Sequence, residues 1–290
     1  RLLTVITGGP GTGKTSTVVR VVALLIEQAL ARGRPPPRVA LLAPTGKAAA
    51  RLAEAVRAAK RVLPVEAAVC AAIPDTAATL HRALGLGGAS SRPRAATLAA
   101  DLVVVDEASM VDLGLMRRLV AAVLPAARLI LLGDRHQLAS IEAGAVLADV
   151  SGPPSRPPYS ERLARAAVAA FGEPFPGSGD GPGGLADSLV ELTASHRFTE
   201  QGGIGRLAAA ILAGDGDAAV AACDDAAVRL EPAIEAGPGA AFARRIAEGY
   251  APYLGASDPA GALAALGRFR VLAAHRRGPA GIAGLVARIE

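Results

Sequence analysis

The sequence predicts an α/β fold built on a parallel sheet buried on both faces, and three observations carry that prediction. Short continuous apolar runs recur through the first half, helical stretches separate them, and a glycine-rich loop follows the first run. Apolar strands that alternate with helices need crossover connections, which put neighbouring strands parallel and cover both sheet faces.

In chain order the strand candidates are "LLTVIT" (2–7), "RVALLA" (38–43), "LVVVDE" (102–107) and "RLILLG" (128–133). "DLGLMRRLVAAVL" (112–124) has amphipathic spacing with Asp112 placed to cap it. Residues 61–98 break the alternation and read as a small insertion containing a short helix, "TAATLHRALG" (76–85). These elements make residues 1–150 one α/β domain. Prolines and the tract "GSGDGPGG" mark residues 151–186 as a linker that holds one helix, "ERLARAAVAA". Residues 187–290 repeat the α/β pattern with strand candidates "SLVEL" (188–192), "AVRLE" (227–231) and "FRVLAA" (269–274). The helices "IGRLAAAILAG" and "GAAFARRIAEGYAPYL" lie between them. Three strands make a thin sheet, so this second domain is expected to be incomplete.

Composition narrows the class. The chain has 290 residues, 51% of them hydrophobic, enough for about two domains. Its apolar stretches are interrupted by Arg or turn residues, which argues against a membrane span. Cys70 and Cys223 show no pairing pattern, as expected of a chain in a reducing cytosol, so a cytoplasmic location is expected. The net charge of +5 permits a polyanionic partner without identifying one. Of the 31 basic residues only three are Lys, and two of these, Lys14 and Lys47, fall inside "GKT" and "TGK". An ammonium is a compact point charge, and Arg does not replace it in a tight loop. Arg1 opens directly into "LLTVI", so an upstream segment is expected.

"GGPGTGKT" has the spacing of a phosphate-binding loop between a strand and a helix. Gly8, Gly9, Pro10, Gly11, Thr12 and Gly13 would wrap a phosphate with backbone N–H groups. Lys14, Thr15 and Ser16 open the helix whose N-terminus favours an anion. Lys14 would reach the β- and γ-phosphates of ATP, and the Thr15 hydroxyl would hold Mg²⁺. Asp106 and Glu107 end a hydrophobic strand, as a metal-binding carboxylate and a general base would. An isolated Asp-Glu pair is ordinarily a solvated strand end; the loop is what gives this pair its meaning. Gln137, just past another strand end, could donate to a γ-phosphate oxygen and orient the attacking water. Arg197, in "LTASHRF" at the start of the expected second domain, could stabilise charge over the γ-phosphate. "APTGKAAARL" repeats the strand-then-helix arrangement, so Thr45 and Lys47 could hold a polynucleotide phosphate. A capped helix with incidental polarity accounts for that stretch equally well. The four histidines and two cysteines lack metal-ligand spacing, which argues against a zinc site. Aromatics are 3% of the chain, so base stacking would be sparse.

Taken in order, "GGPGTGKT", "APTGKAAARL", "TLHRALG", "DEASMVD", "GDRHQLASIEAGAVLADV", "SHRF" and "FRVLAAHRRGPAGI" resemble the helicase motif series of the RecD family, the alpha subunits of exodeoxyribonuclease V. The resemblance implies a P-loop NTPase with a RecA-like sheet domain and a second, incomplete RecA-like domain. It implies a superfamily-one DNA helicase using ATP and Mg²⁺, moving 5′→3′ on single-stranded DNA in double-strand-break repair and recombination. The implied partners are single- and double-stranded DNA and sister RecB-like and RecC-like subunits. Lys14, Thr15, Asp106, Glu107, Gln137 and Arg197 match the family's ATP-site positions. Pro44, Thr45 and Thr79 match stretches expected near DNA, and His81 lies in one of them. The family's segment before the phosphate loop and its late motifs are absent, and Val286 stands where an asparagine is expected. The resemblance is therefore to an incomplete motor core. Two other readings stay open: a stand-alone or relaxase-linked helicase, and a nucleotide-gated DNA-binding fragment without turnover. A small-molecule kinase would have no use for Gln137 or "SHRF".

Overall fold

Six parallel strands meet in one sheet of order β3-β2-β4-β5-β1-β6 in a computed structural model of the chain. The structure describes residues 2–86, 97–137, 146–152, 159–173, 185–199, 201–225, 228, 230 and 239–289. The chain divides into two compact units, Arg1–Ala219 and Val220–Glu290.

The first unit runs β1 (Leu3–Gly8), α1 (Lys14–Ala31), β2 (Val39–Ala43), α2 (Gly46–Val62), α3 (Ala67–Ala72), β3 (Ala78–Thr79) and α4 (Leu80–Ala83). It continues with β4 (Leu102–Val105), α5 (Leu113–Ala122), β5 (Arg128–Gly133), α6 (Val146–Ser151), α7 (Glu161–Phe171), β6 (Leu189–Leu192) and α8 (Gly203–Ala213). α9 (Gly216–Ala221) crosses the boundary.

Strand periodicity explains the two-sided core. Val5, Leu42, Val103, Val105, Leu129 and Leu131 point to one face, where they pack with Leu115, Met116 and Leu119 of α5. Ile6, Leu41, Leu102, Val104, Ile130 and Leu132 point to the other, against Val18, Val19, Val22 and Ile26 of α1 and Leu52 and Val56 of α2. Alternate residues along a strand face opposite sides, so a strand buried on both faces must be apolar throughout. β4 is, with all four of its residues buried. The expected cap of α5 forms, with Asp112 Oδ1 accepting from the Leu115 N–H at 2.8 Å.

Three expectations change. "SLVEL" forms β6, but it pairs with β1, Val5 opposite Leu189 through Gly8 opposite Leu192, and so extends the first sheet instead of starting a second. Leu189 is buried in the first core, and its burial there chooses the sheet. Within "TAATLHRALG" the helix is limited to α4, because Ala78 and Thr79 pair with Leu42 and Ala43 at the sheet edge. "FRVLAA" forms no strand.

The second unit is helical among its described residues: α10 (Ala240–Leu254), α11 (Pro259–Arg268) and α12 (Ile282–Ile289). Phe269 packs edge-on against Tyr250, ring centroids 5.1 Å apart, and over Gly249, where a Cβ would stand 2.5 Å from its ring. The segment is thus held by α10, and among the described residues no strand lies beside it for its backbone to join. Most of "AVRLE", the tract "GSGDGPGG" and residues 138–145 of the "GDRHQ" stretch lie outside the described residues.

At the end of the sheet away from the phosphate loop, Arg38 clasps Asp101. Arg38 Nε and Nη2 donate to the two carboxylate oxygens at 3.1 and 3.0 Å, and the Arg38 N–H adds a third bond at 2.9 Å. The side-chain bonds from Arg38, its backbone N–H and its charge hold the Asp101 carboxyl down to about 2. A depressed carboxyl pKa adds stability above the usual carboxylate range, and that stability is lost as pH falls toward the folded value. Urea titrations of the wild type and Asp101→Asn should therefore differ most above roughly pH 4 and converge near pH 2. A constant difference across that window would contradict the assignment.

Candidate functional site

The carboxyl ends of β1, β4, β5 and β6 all lie on one edge of the sheet, and the turns that leave them enclose a cavity of about 590 Å³. Adjacent parallel strand ends facing one crevice are the usual ligand position in open α/β sheets. Pro10, Gly11, Thr12, Gly13, Lys14, Thr15 and Ser16 line it from β1, and Asp106 and Glu107 from β4. Asp134 and Gln137 line it from β5, and His196 and Arg197 from the segment after β6.

The loop is shaped by its own bonds. Gly11 and Gly13 both sit at φ +80°, a conformation that suits glycine, and the Thr12 hydroxyl donates to the Gly9 carbonyl at 2.9 Å. Lys14 Nζ donates to the carbonyls of Gly8 at 2.6 Å and Gly9 at 3.1 Å. The ammonium is thereby held against the underside of the loop, at the start of α1.

The β6 segment is fastened directly to that loop. The His196 N–H donates to the Gly11 carbonyl at 2.9 Å, and Ser195 Oγ donates to the Pro10 carbonyl at 3.2 Å. Ser195 Oγ also accepts from the N–H groups of Arg197 and Phe198, both at 3.4 Å. A Cβ on Gly11 would stand 2.5 Å from the Cβ of Arg197, so only glycine permits this approach. Arg197 was expected from a second domain. It lies instead in the same unit as the loop, because β6 completes the first sheet and delivers the segment to β1's end.

Asp106 and Glu107 differ in environment. Burial pushes the Asp106 carboxyl up and the neighbouring Glu107 charge adds to this, while the Glu107 N–H, donating to Asp106 Oδ1 at 2.9 Å, and Lys14 oppose it. Glu107 adopts φ 53°, ψ 40°, the only left-handed non-glycine residue among those described. That backbone costs about 1–2 kcal/mol. It turns the chain sharply into the 3₁₀ turn Ala108–Met110, which sits over the end of β5; a Cβ on Gly133 would be 3.1 Å from the Ser109 nitrogen. Ser109 Oγ donates to Gln137 Oε1 at 2.6 Å.

Arg135 braces this edge. Its N–H donates to Thr7 Oγ1 at 3.1 Å, its guanidinium donates to the Gly152 carbonyl, and it lies 3.7 Å from Glu191. The strand ends of β1, β5 and β6 are thus tied by one residue, through its backbone N–H and its side chain.

Eight of the residues expected to bind nucleotide or metal, Pro10 to Ser16 with Asp106, line the cavity, as do the expected catalytic residues Glu107, Gln137 and Arg197. Gly8 and Gly9 lie beneath the loop as acceptors for Lys14. The expected DNA-contacting residues are elsewhere, on the same edge at β2 and β3. Thr45 Oγ1 caps α2 by accepting from the Ala48 N–H at 3.2 Å, and Thr79 Oγ1 caps α4 from the Arg82 N–H at 3.3 Å. Lys47 and His81 are exposed, Pro44 is half-buried, and Ala43 pairs with Thr79 beside them. Asp134, His196 and Ser109 were not singled out from the sequence. A strand-end Asp, one His and one Ser carry no spacing signal, although the "GD" and "SHR" stretches pointed to their neighbourhoods.

Residues 1–143 match a family described as an AAA domain. The chain is 46% identical over 291 residues to the RecBCD enzyme subunit RecD of Mycobacterium tuberculosis, covering 97% of this chain and 44% of that protein. It is 41% identical over 146 residues to the ATP-dependent RecD2 DNA helicase of Deinococcus radiodurans, covering 50% of this chain and 17% of that protein. A Pif1 helicase from Bacteroides, solved with ADP-AlF3 and single-stranded DNA, superposes over 89% of this chain and 54% of its own. Its identity is 18% and its TM-score 0.40, too loose a superposition to bear on the argument. The chain spans less than half the length of the curated relatives it matches, 44% of the mycobacterial protein.

The strain and the half-buried carboxyl both predict that function opposes stability here. A carboxyl whose folded pKa is raised favours the fold when protonated and loses that advantage as pH rises. Asp106→Asn should therefore raise Tm at pH 7 without divalent cations, by roughly 2–4 °C per kcal/mol relieved, and the gain should shrink below about pH 4. Glu107→Gly should add about 1 kcal/mol by relieving the left-handed backbone. Thermal unfolding measures both, and a lower Tm for either variant at pH 7 would contradict the account.

Proposed function

The chain is RecD-like over 97% of its length, and we propose that it is the ATP-binding motor portion of a RecD-type DNA helicase. The observation that carries this reading is the convergence of Lys14, Asp106, Glu107, Gln137 and Arg197 on one cavity. A kinase passes the γ-phosphoryl group to a bound acceptor and has no attacking water for Gln137 to orient.

In the proposed mechanism the loop N–H groups and the α1 N-terminus wrap the β-phosphate, and Lys14 turns from the Gly8 and Gly9 carbonyls to the phosphates. Mg²⁺ suits the site: the half-buried Asp106 carboxyl accepts from the Glu107 N–H through Oδ1, and Thr15 supplies a second hard oxygen donor in the same cavity. When bound, the ion would neutralise charge on the β- and γ-phosphates. Glu107 takes the proton of the attacking water, and its left-handed backbone turns its residue toward the cavity. Gln137 donates to the γ-phosphate and orients the water. Arg197 stabilises the charge that spreads over the γ-phosphoryl oxygens in the transition state. Latched to Gly11, it is in place before any domain movement.

DNA is proposed to run along the β2–β3 edge, with Pro44, Thr45, Lys47, Thr79 and His81 nearest the strand. The threonine hydroxyls serve there as caps and keep a proton to donate to a phosphate. Residues 220–290 belong, on this reading, to a second RecA-like domain. Motion 5′→3′ and a role in recombinational repair are proposed from the RecD-like motif series, and assembly with RecB-like and RecC-like subunits from the RecBCD name that the relatives carry. A cytoplasmic location fits the same reading; no described helix is long and apolar enough to cross a membrane.

Steady-state ATP hydrolysis with and without a single-stranded oligonucleotide tests the proposal. Hydrolysis should rise with DNA and disappear in Lys14→Ala. Glu107→Gln should lower kcat by about 10²–10⁴ and Arg197→Ala by about 10³ or more, each with little change in ATP affinity. Nucleotide binding without DNA-stimulated turnover would reduce the chain to a nucleotide-gated binding fragment, and no binding at all would refute the site.

A further inference from the structure

Gln137 sits on a loop after β5 and is exposed, yet its side chain is anchored. The anchor is Ser109, which is 7% exposed and belongs to the 3₁₀ turn that follows Glu107. That turn cannot slide. Its entry is the left-handed Glu107, and its Ser109 nitrogen sits over Gly133, where any Cβ would crowd it. The hydroxyl is thus a donor on a well-fixed turn that holds an exposed acceptor.

An amide side chain has two ends of opposite character: the oxygen accepts and the nitrogen donates. A carbonyl oxygen turned toward phosphate oxygens would meet like partial charge and no proton. A hydroxyl that donates to Oε1 leaves Nε2 as the end facing the cavity that Gln137 lines. A hydroxyl can also accept from Nε2, but that orientation would turn Oε1 toward the phosphate oxygens; with the hydroxyl donating, Nε2 is left for the cavity.

We propose that Ser109 is a positioning residue: its 2.6 Å hydrogen bond to Gln137 Oε1 holds the amide NH₂ toward the nucleotide cavity and sets the preference for a nucleoside triphosphate over a diphosphate. The proposal rests on the reading of this cavity as the nucleotide site. It also makes the turn that carries Glu107 and the residue that senses the terminal phosphate one hydrogen-bonded unit. A shift of either on loss of the phosphate is felt by the other.

The test is the ratio of ATPγS to ADP affinity, measured by titration calorimetry in Mg²⁺ on the whole chain. Gln137→Ala should lower the ratio by about tenfold through loss of one donor to a charged oxygen. Ser109→Ala should lower it similarly while leaving ADP affinity and Tm unchanged, and Ser109→Thr, which keeps the hydroxyl, should restore it. The double variant Ser109→Ala/Gln137→Ala should be no worse than Gln137→Ala alone. An unchanged ratio in Ser109→Ala beside a lowered one in Gln137→Ala would overturn this inference and leave the nucleotide site standing. Equal weakening of ADP and ATPγS by Ser109→Ala would overturn it too, as a general structural role. If Gln137→Ala leaves the ratio unchanged, the sensing role falls and this inference with it. If the wild-type chain binds neither nucleotide, the site reading itself fails.

Discussion

Everything at this site depends on a missing Cβ. Gly11, at φ +80°, leaves room for the Cβ of Arg197 only 2.5 Å from where its own would be, and the His196 N–H and Ser195 hydroxyl close the contact onto the loop carbonyls. The approach requires a strand beside β1 that ends at the right level. β6 supplies it, with Gly8 opposite Leu192 in register. Sheet order, loop conformation and the arginine's position are thus one constraint seen at three scales. A methyl group at Gly11 would break it at all three.

The same edge holds features that the fold would be more stable without. Asp106 is half-buried with its carboxyl pKa pushed up, and Glu107 is held in a left-handed conformation. The left-handed backbone opposes folding by about 1–2 kcal/mol, and local strain of this kind persists only where surrounding structure over-determines it. Here the surroundings are a fully buried β4, the turn seated on Gly133, and the Arg135 strut joining β1, β5 and β6. The apolar core of the sheet holds the polar edge in its strained geometry.

How much of this could be read from sequence follows from what each signal encodes. β1, β2, β4 and β5 were legible because strands buried on both faces must be apolar throughout, and the phosphate loop was legible because its spacing is bound to its geometry. β6 was legible as a strand but not as a neighbour of β1, since an apolar run carries no address. That one ambiguity moved Arg197 from the unit where it lies to a second domain. "FRVLAA" has strand composition, yet it is held by Phe269 packing over Gly249, a contact between residues 20 apart that periodicity does not encode. Lys14, Asp106, Glu107 and Gln137 were legible as a set only because the loop gave each strand-end residue a common target. Asp134, His196 and Ser109 share that edge but belong to no spacing rule, and only the folded geometry brings them in.

The central claim is that residues from four strand ends form one preassembled site for a nucleoside triphosphate. Thermal unfolding of the chain with Mg²⁺ and ATPγS, against Mg²⁺ with adenosine, tests it most directly. A ligand held by the phosphate loop stabilises the folded state by about 2.7 kcal/mol at a hundredfold excess over Kd. ATPγS should therefore raise Tm by several degrees. Adenosine, which has no phosphate for the loop to hold, should leave it nearly unmoved. Equal shifts with the two ligands, or none with ATPγS at millimolar concentration, would contradict the account.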